Sequence, residues 1–221
     1  MVQSTAPTGS APKAPASSRR GLIIGAGAAV LLLAGIALDT KVVHIGSDAD
    51  LRQQAFSPDG YGAKEFPRIA QAIKARAGDA PEIAAAIAAD KNAAIAKYGT
   101  PASTGAIMSV RVTGIAGEAK AGIYPLAVDG MPEGVNVRVQ TGPAINGTDL
   151  RDAPGDIAFG GFKNQIEYQN AGAGINRAMK AAVLDGIDAA NLSGKTVEVT
   201  GAFRLINPKN WLITPVEVGV K

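Results

Sequence analysis

Apolar positions recur with helical spacing up to about residue 105 and with a spacing of two beyond it. Over 59–98 the spacing predicts a helical hairpin. Tyr61, Phe66, Ile69 and Ile73 form one stripe, with Lys64, Arg68, Lys74 and Arg76 interspersed, and Gly78 ends the first helix. Pro81 suits the opening of the second, with Asp79 and Glu82 near the positive end of its dipole. Ile83, Ile87 and Ile95 point one way, and Gly99 and Pro101 close the helix. The simplest task of such a hairpin is to cover an apolar surface.

Beyond 106 the alternation predicts strands. Val110 and Val112 alternate with Ser109, Arg111 and Thr113, and Gly114 and Gly117 let that strand bend. A second strand, 122–128, ends at the turn signal Asp129-Gly130. The third, 134–140, places Val135, Val137 and Val139 inward and Asn136, Arg138 and Gln140 outward. Residues 142–170 are rich in Gly, Asp and Asn, with short extended pieces expected at 157–159 and 165–168. A helix follows at 171–185, carrying Ile175, Met179 and Val183 at i, i+4 and i+8, and then strands at 195–206 and 211–220. The order β-β-β-α-β-β is that of an OB-like five-stranded barrel, giving an α+β fold with an added N-terminal helical hairpin. An open five-stranded α+β sheet is the alternative, because periodicity does not report closure.

The first forty residues read as an address. Residues 1–20 are Ser, Thr, Ala, Pro and Gly with three cations and cannot bury enough apolar surface to order themselves. Residues 21–38, GLIIGAGAAVLLLAGIAL, carry no charge and are flanked by Arg19, Arg20 and Asp39. Eighteen residues reach about 27 Å, close to the hydrocarbon core of a bilayer. The run is therefore expected to be a transmembrane signal anchor, with the tail cytoplasmic and the remainder exported. A signal peptide cleaved after Ala37 is the competing reading. The organisation predicted is a tail 1–20, an anchor 21–38, a linker and helical hairpin 39–105, and a barrel domain 106–221.

Composition narrows the chemistry. There is no cysteine, which excludes disulfides, thiolate metal sites and cysteine nucleophiles, and His44 is the one histidine. Hydrophobic residues make up 47%, enough for a packed core, but aromatics only 5%. Lys13, Arg19 and Arg20 account for the whole formal charge of +3, so residues 21–221 are balanced. A neutral, aromatic-poor domain argues against nucleic acid as a partner.

The segments TGPAINGTDLRDAPGDIAFGGFKNQIEY (141–168) and GKTVEVTGAFRLINPKNWLITPVEVGVK (194–221), with KVVHI at 41–45 and Lys-Tyr-Gly at 97–99, resemble the DUF2291 family of predicted periplasmic lipoproteins. The resemblance implies an OB-like barrel with a helical addition. Because such proteins often lie beside bacterial sugar ABC-transporter genes, it also implies an accessory role in uptake. Members commonly carry a lipobox cysteine just before a KIVPI-like start, to which KVVHI corresponds here. This chain has Leu38, Asp39 and Thr40 there, so a retained helix would replace the lipid.

Three groups of residues offer chemistry. Asp149, Arg151, Asp152, Asp156 and Glu167 bring four carboxylates and a guanidinium close together in sequence. Paired carboxylates run glycoside hydrolysis or hold Ca²⁺, and they equally cap turns and pair with local arginines. Asn164, Gln165, Glu167 and Tyr168 suit sugar hydroxyls, or the backbone groups of an irregular segment. The turn Asn207–Asn210 with Trp211 sits where OB folds bind ligands, or Trp211 plugs the barrel. Arg138, on the outer face of the third strand, joins them as a binding residue. No metal or cofactor is expected, and His44 is read as packed or solvated. The first functional expectation is a non-enzymatic accessory protein, held in the inner membrane by residues 21–38 and acting beside a sugar ABC-transporter permease or periplasmic binding protein. The others are a carbohydrate- or small-ligand-binding module and a carboxylate-dependent hydrolase.

Overall fold

The structure, a computed structural model, describes residues 19–39 and 56–221. The tail up to residue 18, the linker 40–55 and His44 lie outside the described residues. The chain divides into two compact units, Met1–Ala55 and Phe56–Lys221.

In the first unit, α1 runs over Arg19–Asp39 with no acid in its first turn and no base in its last. Ile23, Ile24, Leu31, Leu32 and Leu33 on it are exposed. Among the described residues no helix is long and apolar enough to cross a membrane. The described residues therefore give no support to the expected transmembrane helix 21–38.

The second unit holds helices α2 (Pro58–Arg76), α3 (Ala80–Ala89), α4 (Lys91–Tyr98), α5 (Asp149–Asp152) and α6 (Gln165–Met179). Its strands are β1 (Gly78–Asp79), β2 (Gly99–Pro101), β3 (Ala106–Ala116), β4 (Ile123–Ala127), β5 (Asn136–Gln140), β6 (Thr196–Arg204) and β7 (Asn210–Val220). The path β3-β4-β5-β7-β6 returns to β3, because β3 pairs with β4 at one end and with β6 along nearly its whole length. The result is a closed five-stranded barrel, with β5 and β7 parallel. Two glycines permit the crowding. A Cβ on Gly114 would lie 2.6 Å from the Ala127 carbonyl oxygen, and one on Gly201 would lie 2.4 Å from that of Thr214. Gly201 also sits at a register shift between β6 and β7, where a bulge sharpens the coil.

One face of the strands fills the barrel. Met108, Val110, Val112, Tyr124, Val137, Val139, Val197, Val199, Phe203, Trp211 and Ile213 form this core, joined by Ile83, Ile87 and Tyr98 of α3 and α4. A second core lies outside the barrel wall, where Ile107, Ala202 and Val216 meet Phe66, Ile69 and Ile73 of α2 and Ile175 and Met179 of α6. Strand β3 is thus buried on both faces from Ala106 to Val110, which is why its alternation begins only after Val110.

Several expectations need correction. The sheet has seven strands, because β1 and β2 add to β3. The second helix of the expected hairpin is two, broken at Asp90, whose side chain accepts from the Asn92 and Ala93 N–H groups and caps α4. The hairpin itself is not formed as such, since α2 shares its core with α6. Helix α6 starts at Gln165, so the piece expected to be extended at 165–168 is its first turn; of 157–159, Ala158 is extended and Phe159 opens a 3₁₀ turn, Phe159–Gly161. Gln140 is buried rather than exposed. Its amide donates to Thr214 Oγ1 at 2.6 Å and to the Asn146 carbonyl at 3.0 Å, and its Oε1 accepts from the Asn146 N–H. The 142–148 connection therefore covers that face of β5.

Candidate functional site

The residues proposed from sequence do not gather in one place. Helix α5 is a single turn that presents Asp149 and Asp152 to Arg204 of β6. Arg204 Nε donates to Asp149 Oδ1 at 3.1 Å and Nη2 to Asp152 Oδ2 at 2.7 Å. Arg151 donates through Nε to Asp152 Oδ1 at 2.8 Å and through Nη1 to the Tyr168 carbonyl at 3.0 Å. Its guanidinium also lies 3.6 Å from the centre of the Tyr168 ring. These four charged side chains are only 8–18% exposed. Burial pushes the Asp149 carboxyl above its ordinary range, against the attraction of Arg204. Two carboxylates, two guanidiniums and the Thr148 hydroxyl, which donates to Asp152 Oδ2, therefore saturate one another. The network ties α5, α6 and β6 together.

Asn164 and Glu167 lie at the start of α6. Asn164 Oδ1 accepts from the Glu167 N–H at 2.9 Å, and Glu167 Oε2 accepts from the Lys163 N–H at 2.9 Å. Both are engaged in starting the helix. Trp211 is fully enclosed. It stacks on Phe203 with ring centres 4.3 Å apart, and its indole N–H donates to the Pro208 carbonyl at 2.8 Å. It is a plug of the barrel and presents no surface. Arg138 stands on β5 between Pro125 and Leu212, half-buried, its Nε without a hydrogen-bond partner among the described residues.

Asp156 leaves this group and joins α2. Arg68 Nη1 donates to Asp156 Oδ2 at 2.6 Å, while Nε and Nη2 reach Glu65 Oε2 at 3.0 and 2.8 Å. This triad borders a cleft of about 270 Å³ lined also by Tyr61, Ile157, Gly161 and Phe162. Burial first, and the Glu65 carboxylate second, hold the Tyr61 hydroxyl above the ordinary phenol range, so it remains a donor.

A larger groove, about 820 Å³, runs over the part of β3, β6 and β7 not covered by α2 and α6. Arg111 and Thr113 of β3, Glu198 of β6 and Glu217 of β7 line it and are exposed, and Asp79 and Pro81 bound it at the start of α3. Arg111 pairs with Asp79, Glu217 with Lys74, and Glu198 with Lys221. Ile115, on the same face of β3 and 54% exposed, continues the strip. Sequence reasoning passed over this groove, as it did Arg204 and Arg68. Its one legible signal is the run of polar outward positions on β3 and β6, which any solvated sheet face shares.

The comparisons agree with this architecture. The family described as predicted periplasmic lipoprotein (DUF2291) matches residues 26–219, so the chain belongs to that family. No curated protein matches it. The crystal structure of an OB-fold protein from Thermotoga maritima superposes with a TM-score of 0.58 at 15% identity, covering 76% of this chain and 99% of that one. The likeness concerns the fold.

Proposed function

We propose that this protein is a non-catalytic accessory module of the bacterial periplasm, held at the inner membrane by residues 21–38 and docking a component of a sugar ABC-type importer through the open face of β3, β6 and β7. The observation that carries the reading is the uneven cover of that sheet. Helices α2 and α6 bury one end, while Arg111, Thr113, Glu198 and Glu217 leave the other end open beside Ile115. Its ion pairs are exposed, so each is worth little by itself and can re-pair with charges on a partner. The DUF2291 membership supports a periplasmic setting, and the uncharged run 21–38 after Arg19-Arg20 supports the anchor. The carboxylates that a hydrolase would need are engaged by Arg204, Arg151 and Arg68.

The test is site-specific photocrosslinking in native membranes, with the photoreactive residue at Thr113 or, as control, at Lys97. A crosslink to an importer permease or sugar-binding protein from Thr113 and none from Lys97 supports the reading. Equal products from both positions, or none from Thr113, would overturn it.

A further inference from the structure

The ten aromatic residues divide evenly by burial. Phe66, Tyr98, Tyr124, Phe203 and Trp211 are buried in the two cores. Phe56, Tyr61, Phe159, Phe162 and Tyr168 are not, and they touch one another in a continuous chain of rings with centres 5.3–5.7 Å apart. A chain with so few aromatics thus places half of them in one surface patch, and Phe159 is 49% exposed. The cleft of about 270 Å³ opens against this patch, with Tyr61 and Phe162 on its wall and Glu65, Arg68 and Asp156 at its border.

Its size lies just below the usual range of about 300–1,000 Å³ for ligand clefts, which suits a ligand of one ring. Its charge disfavours anions, since two carboxylates face one guanidinium. A lone ammonium is disfavoured for a different reason. Arg68 already fills the cationic position between Glu65 and Asp156, and the rings meet edge-on or tilted rather than enclosing a cage. What remains is a neutral ring with an apolar face and a polar edge.

We propose that this cleft binds a single neutral sugar ring, its C–H face against Phe162 and Tyr61 and its hydroxyls shared among Glu65, Asp156 and Arg68. Carboxylates accept from sugar hydroxyls, the guanidinium donates to them, and the Tyr61 hydroxyl adds a second donor. Because the cleft is lined by α2 and the 156–162 segment and not by β3, β6 or β7, this site and the partner-docking face can fail separately.

The test is saturation-transfer NMR and calorimetry on the full-length protein with glucose, galactose, mannose and ribose, and with tetramethylammonium and inorganic phosphate as competing chemistries. At least one sugar is expected to bind at millimolar concentration. Phe162→Leu and Asp156→Asn should each weaken it at least tenfold, and Lys97→Ala should leave it unchanged. Asp156 is 60% exposed, so its variant keeps the test usable if Phe162→Leu does not fold. No saturation transfer from any of the four sugars, binding unaltered in Asp156→Asn, or tighter binding of tetramethylammonium or phosphate than of every sugar would overturn the assignment.

Discussion

Two arginines in this protein each sit between two carboxylates, and their surroundings set them apart. Arg204 joins Asp149 and Asp152 with side chains 14–18% exposed. Arg68 joins Glu65 and Asp156, with Arg68 45% and Asp156 60% exposed. In the first cluster, charges withdrawn from water depend on one another, and removing one strands the rest. In the second, water screens Arg68 and Asp156, and only Glu65, 18% exposed, is withdrawn from it, so the pairing is worth less. The buried cluster therefore acts as a structural tie and the exposed one stays available to a ligand. Tyr168 links the buried cluster to the ring patch, since its ring receives Arg151 and also touches Phe162 and Phe159.

This contrast is open to direct attack. Arg204→Ala should lower unfolding free energy by about 3 kcal/mol, measured by urea denaturation, because two largely buried carboxylates lose their common partner. A loss below about 1 kcal/mol would put the network in the same class as a surface pair. Tyr168→Leu should cost about 1–2 kcal/mol, combining the ring contacts with the cation–π contact of Arg151. The same variant should loosen the ring patch, visible as changed chemical shifts of Phe159 and Phe162. Arg68→Ala should cost less than about 1 kcal/mol in the same assay, as expected for an exposed pair. A cost equal to that of Arg204→Ala would erase the distinction.

The smallest expected effect is one of pH. Burial raises the Asp149 carboxyl above its unfolded value, so the folded state holds that proton more tightly than the unfolded one. Its contribution is fully present below the ordinary carboxylate range and is lost as pH rises through the raised value. Melting temperatures of wild type and Asp149→Asn, compared across that window, should show the wild type losing ground as pH increases. An opposite slope would mean that the attraction of Arg204 outweighs burial.

Much of the barrel was legible in the residues themselves. Val137 and Val139 point inward as their alternation requires, and β6 and β7 lie within a few residues of their expected bounds, because a period of two leaves only one face for the core. The helices were read less well. The spacing around Ile83, Ile87 and Ile95 does not register the break at Asp90, since the apolar face continues across it. Helical periodicity tells which side of α2 is buried but not against what. That Ile69 and Ile73 meet Ile175 and Met179 rather than the next helix depends on pairings more than a hundred residues apart.

The same division holds for the candidate site. Local sequence determined the α+β class, the order of the five barrel strands along the chain, the charge balance and the presence of an acidic segment between the third of them and the helix. These follow from periodicity and composition, which act over neighbouring residues. Only the tertiary structure decided which carboxylates serve the fold and which remain open. Asp152 and Asp156 are four residues apart, yet one is bound by Arg204 of β6 and the other by Arg68 of α2. Closure of the barrel carries β6 behind α5, and α2 crosses from the far end of the chain to meet the 156–162 segment. The environment of each charge is therefore set by chain closure, and burial turns otherwise equivalent residues into a tie in one place and a binding surface in the other.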